Sequence, residues 1–342
     1  MAFQAVILCG PGSSFPTFTA NPDETPKALL PIANRPMVWY PLEFCYRMGV
    51  TSITLITPPS SASAITAALN TNPHLTGLPL PKPDLLAPKD LDNTTGTAEI
   101  FRLPEVRNIV KGDFIVLPCD LVCELSGEAL LEAWMVKQSS LGGSTNSANG
   151  VRGIALNGER AGRRGGMAVC YETQGETIIK GEETDFIATT PLKPGPIPPP
   201  KSSVLSQLSN LVLLMPTDTL KDKTEKTGML SVRHGLLEAH SRVRVLSSHR
   251  DAHIYIFPSW VMDLMNKNER MDSIGEDVIG WWAKAGWQDG LADKLGLREI
   301  FTEKGPLKTE ENLLDNPATQ DEIDFSTLSS TWTSNPKSAL QD

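Results

Sequence analysis

The chain has 342 residues, a formal net charge of −9 and a sequence pI near 5.2, with 40% hydrophobic and 21% charged residues. That length supports one large or two ordinary domains with a substantial core. The acidic balance argues against direct nucleic-acid binding, which needs Lys and Arg to neutralise phosphates, and no apolar run approaches the ~20 residues that cross a bilayer.

Taken in chain order, "QAVILC" (4–9) is a short continuous apolar run ended by Gly and Pro, which predicts a buried strand. "MVWYPLEFCYRMGV" (37–50) predicts a helix with Val38, Leu42, Cys45 and Tyr46 on one face and Gly49 as its stop. "TSITLIT" (51–57) is the next strand, Ser61 to Leu69 the next helix, and "DFIVLPCDL" (113–121) a buried strand that ends in an acid. Alternating strands and helices predict a parallel α/β sheet with ligands at the carboxyl ends of its strands.

Residues 141–166 are rich in Gly, Ser and Asn and read as a long exposed insertion; 191–203 form a proline-rich connector. Strand-like runs follow at 167–172, 185–190, 211–215, 243–246 and 252–257, then helices at 259–266 and 273–285. Residues 305–342 hold seven acidic and two basic side chains, and read as an acidic linker or tail. The domain proper is therefore expected over 1–304.

Cys9, Cys45, Cys119, Cys123 and Cys170 are odd in number and irregular in spacing, with no secretory leader before them. Reduced thiols in the cytosol are the simplest account. Cys119 and Cys123 lack the spacing of a zinc knuckle. His249 and His253 fall on a strand-like run and need not share a face, and Arg160, Arg163 and Arg164 read as a solvated loop. Trp281 and Trp282 are adjacent on a helix, so they cannot both be buried on one stripe. One of them is expected to face the core and the other a partner.

The loop after the first strand, with Gly10 and Gly12, could bring backbone N–H groups close to a phosphate. Yet no basic residue lies between Gly10 and Asp23. Beyond it, Pro26, Lys27, Leu29, Leu30, Pro31, Asn34, Arg35, Pro36 and Met37 follow in the order of the nucleotide-sugar pyrophosphorylase signature. "GTAEIFR" (96–102) is similar to that family's Gly-Thr-Ala segment, and "VLPCDL" (116–121) to the stretch whose Asp binds magnesium. The resemblance implies an α/β, Rossmann-like nucleotidyltransferase fold with a mixed, mostly parallel central sheet. It implies nucleotide contacts at Gly10, Gly12, Lys27, Gly96 and Thr97 and a magnesium contact at Asp120.

The pattern departs from the family at its chemistry. Phe15 stands near the place of the loop Arg, Pro11 replaces a Gly and removes an N–H donor, and the Glu-Lys-Pro sugar motif is missing. Losing one such charge-stabilising group commonly costs about 10²–10³ in rate. "NRPMVWYPLEFCYRMGV", "VLPCDLVCE" and "DAHIYIF" resemble the gamma-subunit family of eukaryotic translation initiation factor 2B, where active pyrophosphorylases typically show Asn-Ala-Gly-Ile-Tyr at the last of these. That resemblance implies a non-catalytic, scaffold and stimulatory role in a guanine-nucleotide exchange factor that reloads translation initiation factor 2 with GTP. The implied partners are the epsilon subunit, the other exchange-factor subunits and translation initiation factor 2. No cofactor is required, and weak nucleotide and Mg binding would be vestigial. The family's carboxy-terminal left-handed β-helix has no counterpart in this sequence, which is expected to be the amino-terminal domain alone or a truncated form. An active nucleotide-sugar pyrophosphorylase and a nucleotide sensor without turnover are the alternatives.

Overall fold

The computed structural model describes residues 3–10, 17–21, 23–92, 94–139, 165–173, 184–192, 203–230, 232–288, 290–297 and 299–300. The readings for Pro11, Gly12, Phe15, Arg160, Arg163, Arg164, most of the two insertions and the 305–342 segment lie outside those residues.

Strand β1 (Gln4–Leu8) leads to a 3-10 turn (Lys27–Leu29) and a two-residue hairpin, β2 (Pro31–Ile32) and β3 (Arg35–Pro36). Ala33 and Asn34 both take positive φ, the geometry of a tight hairpin turn. The Arg35 guanidinium lies 4.0 Å from the Trp39 ring centroid, so this cation is engaged in packing. Helix α1 (Trp39–Arg47) buries Leu42, Phe44 and Cys45 and stops at Gly49, whose φ of 80° suits a left-handed cap. Strand β4 (Ser52–Ile56), helices α2 (Pro59–Thr71) and α3 (Pro73–Thr76) and strand β5 (Asp84–Leu86) follow. Two short helices, α4 (Thr97–Ile100) and α5 (Pro104–Ile109), precede β6 (Phe114–Pro118) and α6 (Gly127–Ser139).

The second half contributes β7 (Met167–Glu172), β8 (Asp185–Pro191), β9 (Ser209–Pro216), α7 (Thr217–Thr227), α8 (His234–Ala239) and β10 (Arg244–Phe257). Helix α9 (Trp260–Lys267), a π-helical turn (Ile274–Ile279), α10 (Gly280–Ala285) and α11 (Leu291–Lys294) complete it. The two runs expected as separate strands at 243–246 and 252–257 are one strand, β10, with a bulge between Asp251 and Ile254. The helix expected over 273–285 is divided between the π turn and α10. The insertion expected over 141–166 ends in packed chain: Trp134 Nε1 donates to Gly165 O at 3.0 Å, and Gly166 lies against Trp282.

The strands form one mixed sheet in the order β5-β4-β1-β6-β10-β8-β9, with β7 on β10. Its first half is parallel, β5 to β4 to β1 to β6, and β10 then pairs antiparallel with β6, β7 and β8. This is a Rossmann-like α/β architecture. Alternate residues face opposite layers, as strand geometry requires. Ala5, Ile7, Ile115, Leu117, Ile254 and Ile256 pack with α1 and α2 on one side. Val6, Phe114, Val116, Tyr255 and Phe257 pack with α4, α5 and α9 on the other.

Phe114 is fully buried and its ring sits 5.6 Å from Phe101 and 5.7 Å from Phe257. Phe114→Ala opens a cavity at the sheet centre and should cost about 3–5 kcal/mol of unfolding free energy. Urea denaturation followed by far-UV circular dichroism reads that loss.

Candidate functional site

The strand order reverses between β1 and β6, and in an open α/β sheet the crevice at such a point opens at the carboxyl ends of the strands. Leu8 pairs with Pro118, so the residues that leave those two strands emerge side by side. Cys9 and Cys119 come first and are both buried. A hydrogen bond with Cys119, reinforced by burial, pushes the Cys9 thiol well above its ordinary range. Burial pushes Cys45 and Cys170 up to about 12, so these are neutral, unreactive thiols near pH 7. Gly10 is exposed directly beyond Cys9, with open space where a side chain would stand.

Lys27 begins the 3-10 turn, held in place by the amide of Val38 donating to Ala28 O and that of Met37 donating to Leu30 O, both at 2.9 Å. Its ammonium Nζ meets Asp120 Oδ2 at 2.8 Å, with the lysine side chain 15% exposed and the aspartate 37%. Burial alone would lower the Lys27 pKa. Coupling to the Cys119 sulfur and the hydrogen bond to Asp120 outweigh it and hold the ammonium above its usual range. The sequence places these two residues 93 positions apart by number, and the sheet brings them into one ion pair.

Gly96 and Thr97 are placed differently. Gly96 caps α4, and a Cβ there would stand 2.3 Å from Asp272 O. Thr97 Oγ1 accepts from the Ile274 amide at 3.0 Å, the Ala98 amide donates to Asp272 O at 2.8 Å, and Arg102 Nη1 donates to Met271 O at 2.6 Å. The Gly-Thr-Ala segment thus clamps the chain that enters the π turn.

A second polar cluster lies where β10 passes the carboxyl end of β6. The antiparallel pairing of Tyr255 with Val116 carries the bulge at residues 251–254 to that edge. His253 adopts a φ of 54°, a costly conformation for a residue with a side chain. Its amide donates to Asp251 Oδ1 at 2.9 Å, and its Nδ1 lies 3.0 Å from Tyr255 Oη, which in turn donates to Asp251 Oδ2. The Asp251 amide donates to Asp185 Oδ2 at 2.8 Å. Burial above all pushes the Asp251 carboxyl up, opposed by His253, and the Tyr255 hydroxyl is driven well above its ordinary range by burial and by Asp251. A cavity of about 150 Å³ opens beside this cluster, bordered by Asp185, Asp251, His253 and Glu276. Residue reasoning missed Asp185, Tyr255 and Glu276. The one signal available was the Asp-Ala-His departure itself, since its two changed residues, Asp251 and His253, are the ones hydrogen-bonded to each other.

Trp281 and Trp282 part company. Trp282 turns inward, 4.9 Å from Trp260 and 6.4 Å from Phe257 between ring centroids, whereas Trp281 is 42% exposed. His249 lies in β10 with Nδ1 3.3 Å from Ser248 Oγ. Cys123 Sγ accepts from the Leu125 amide at 3.3 Å. Among the described residues, no three His, Cys, Asp or Glu side chains are arranged to hold a metal ion.

With this geometry in view, the chain can be set beside known proteins. No family model matches it. It is 29% identical over 302 residues, 88% of its length, to translation initiation factor eIF2B subunit gamma of Schizosaccharomyces pombe. The two chains are homologous. This chain spans about half (55%) of that relative's length. Its fold is similar to that of UDP-glucose pyrophosphorylase in a crystal structure with UDP-glucose bound. The TM-score is 0.52 at 12% identity, and the match covers 89% of this chain and 98% of that one. At that identity the likeness is one of fold. No described helix is long and apolar enough to cross a membrane.

Two outcomes test the local assignments. Gly96→Ala forces α4 away from Asp272 and should destabilise the protein by about 1–3 kcal/mol, read as a lower midpoint in urea. Asp251 has a raised folded-state pKa, so its ionisation costs stability as pH rises through and above the ordinary carboxylate range. Asp251→Asn removes that cost. Its Tm relative to wild type should rise by roughly a few degrees at pH 7, and the advantage should shrink toward pH 4.

Proposed function

We propose that this chain is the pyrophosphorylase-like part of a gamma-type exchange-factor subunit and that it works by protein contact without catalysis. Its role is scaffold and stimulation in the complex that reloads translation initiation factor 2 with GTP. Its partners are the epsilon subunit, the other exchange-factor subunits and translation initiation factor 2, in the cytosol. Homology to the yeast gamma subunit supports the assignment to that complex.

The Lys27–Asp120 ion pair carries the non-catalytic half of the proposal. Nucleotidyl transfer is largely a matter of positioning and charge neutralisation. Here the lysine available to a triphosphate is already neutralised by the carboxylate that would hold magnesium, and residues 11–22 contain no basic side chain. Magnesium prefers six oxygen ligands and is usually held by one or two carboxylates together with substrate phosphates. Asp120 is engaged by the Lys27 ammonium, which competes with a cation for its oxygen. Weak nucleotide binding is the most this cleft would support, and no cofactor is required.

The fold it shares with UDP-glucose pyrophosphorylase makes an active pyrophosphorylase the competing reading. The two readings make opposite predictions for Asp120→Asn. If the pair is self-neutralising, the variant frees Lys27, and affinity for inorganic pyrophosphate rises roughly tenfold, as expected for gaining a hydrogen bond to a charged group. If Asp120 holds magnesium for catalysis, the variant loses magnesium-dependent binding, and wild type releases pyrophosphate from a nucleoside triphosphate and a sugar 1-phosphate. Isothermal titration and a coupled pyrophosphate assay separate the two.

A further inference from the structure

A second cavity, of about 210 Å³, lies at the edge of the sheet opposite the Lys27–Asp120 cleft. Phe257 pairs antiparallel with Phe114, so the chain entering β6 and the chain leaving β10 meet at the amino end of β6. Arg107 on α5 and Lys111 just beyond that helix border the cavity on one side. Ser259, Asp263 and Asn266, at the start of α9 and within it, border it on the other. Its floor is apolar, made by the buried side chains of Val110 and Met262.

Backbone hydrogen bonds fix this frame. The Lys111 amide donates to Gln4 Oε1 at 3.3 Å, the Gln4 amide to Asp113 O at 3.2 Å, and the Ser259 amide to Asp113 Oδ1 at 2.9 Å. The end of α5 and the start of α9 are thereby held to the same strand edge. Neither the Arg107 nor the Lys111 side chain forms a salt bridge with another described residue. The acids nearby do not offset them. Asp113 is directed to the Ser259 amide, and Glu105, two residues from Arg107, lies on a different face of α5 and does not border the cavity. Asp263 is the one acid among the described residues that line it. Two cations against one carboxylate leave the lining positive by one, in a chain of net charge −9. Like charges that share a cavity repel, and an oxyanion between them converts that cost into charge-assisted hydrogen bonds. The space is smaller than the ~300 Å³ at which pockets begin to hold drug-sized ligands, and the Asp263 carboxylate disfavours a polyanion.

We propose that this cavity binds a compact oxyanion, a phosphate monoester or a small carboxylate, with its oxygens on Arg107 and Lys111 and its carbon portion against Val110 and Met262. The Arg107 fork matches either oxyanion in two parallel hydrogen bonds, and Lys111 adds a point charge. The site shares no residue with the Lys27–Asp120 cleft and does not depend on whether that cleft is catalytic.

The test titrates inorganic phosphate into the full 342-residue chain at constant ionic strength set with chloride, so that screening does not change. Phosphorus NMR line width reads the bound fraction, which should saturate. Arg107→Gln and Lys111→Gln should each weaken binding roughly tenfold, as expected for losing a hydrogen bond between charged groups. Both side chains belong to exposed residues, and circular dichroism confirms that each variant is folded. Lys82→Gln, an equal change in net charge at an exposed residue outside the cavity, should leave affinity within about twofold. Glycerol 3-phosphate and malonate then compete with the phosphate, and the one that displaces it at lower concentration identifies the oxyanion class. Displacement by neither overturns the proposal, as does the absence of saturation. An equal loss in Lys82→Gln also overturns it, by reducing the effect to net charge. So does a loss in Lys27→Gln with none in Arg107→Gln, which places the phosphate in the cleft between β1 and β6. Pyrophosphate release in the preceding assay would sink the scaffold reading without changing any of these affinities.

Discussion

Strand β1 hydrogen-bonds in parallel to β4 on one edge and to β6 on the other, so Leu8 stands opposite both Ile56 and Pro118. Parallel partners on both edges require crossovers that return over the sheet faces, which is what α1 with β4 and the α2–α5 segment with β6 provide. The same pairing makes the strand order reverse beside β1. Two chain exits then sit side by side with no strand between them. Cys9 and Cys119 fill the floor of that gap, and the Lys27–Asp120 pair lies above it.

The residues singled out by the sequence are engaged with other parts of the fold. The polar groups are present but turned on one another. Lys27 neutralises Asp120, Arg35 stacks on Trp39, and Gly96 and Thr97 hold the segment that starts the π turn. At the β10 bulge, Asp251 and His253 satisfy each other through Tyr255. Buried polar groups left unpaired are costly, and internal pairing of this kind avoids that cost.

Much of this was legible in the sequence. The apolar runs at 4–9, 51–57 and 113–121 are continuous because their strands are buried on both faces, and such runs are the clearest local signal a chain carries. The Pro-Lys signature and the Asp after β6 marked the two residues that meet. The short helices α4 and α5 and the hairpin at 31–36 were missed, being only a turn or two long and fixed by tertiary hydrogen bonds rather than by periodicity. The single strand β10 read as two, because a bulge with His253 at positive φ breaks the alternation on which strand recognition depends.

Composition and local pattern by themselves determined the α/β class, the acidic balance, the missing cation after β1 and the Lys-then-Asp order, since each is a property of neighbours along the chain. Only the tertiary structure decided that Lys27 and Asp120 touch and that Asp251, His253 and Tyr255 form one network. It also decided that Trp282 turns inward while Trp281 stays at the surface. Those outcomes depend on which strand lies beside which and on how far a bulge rotates a side chain, and both are settled by packing between segments far apart in sequence.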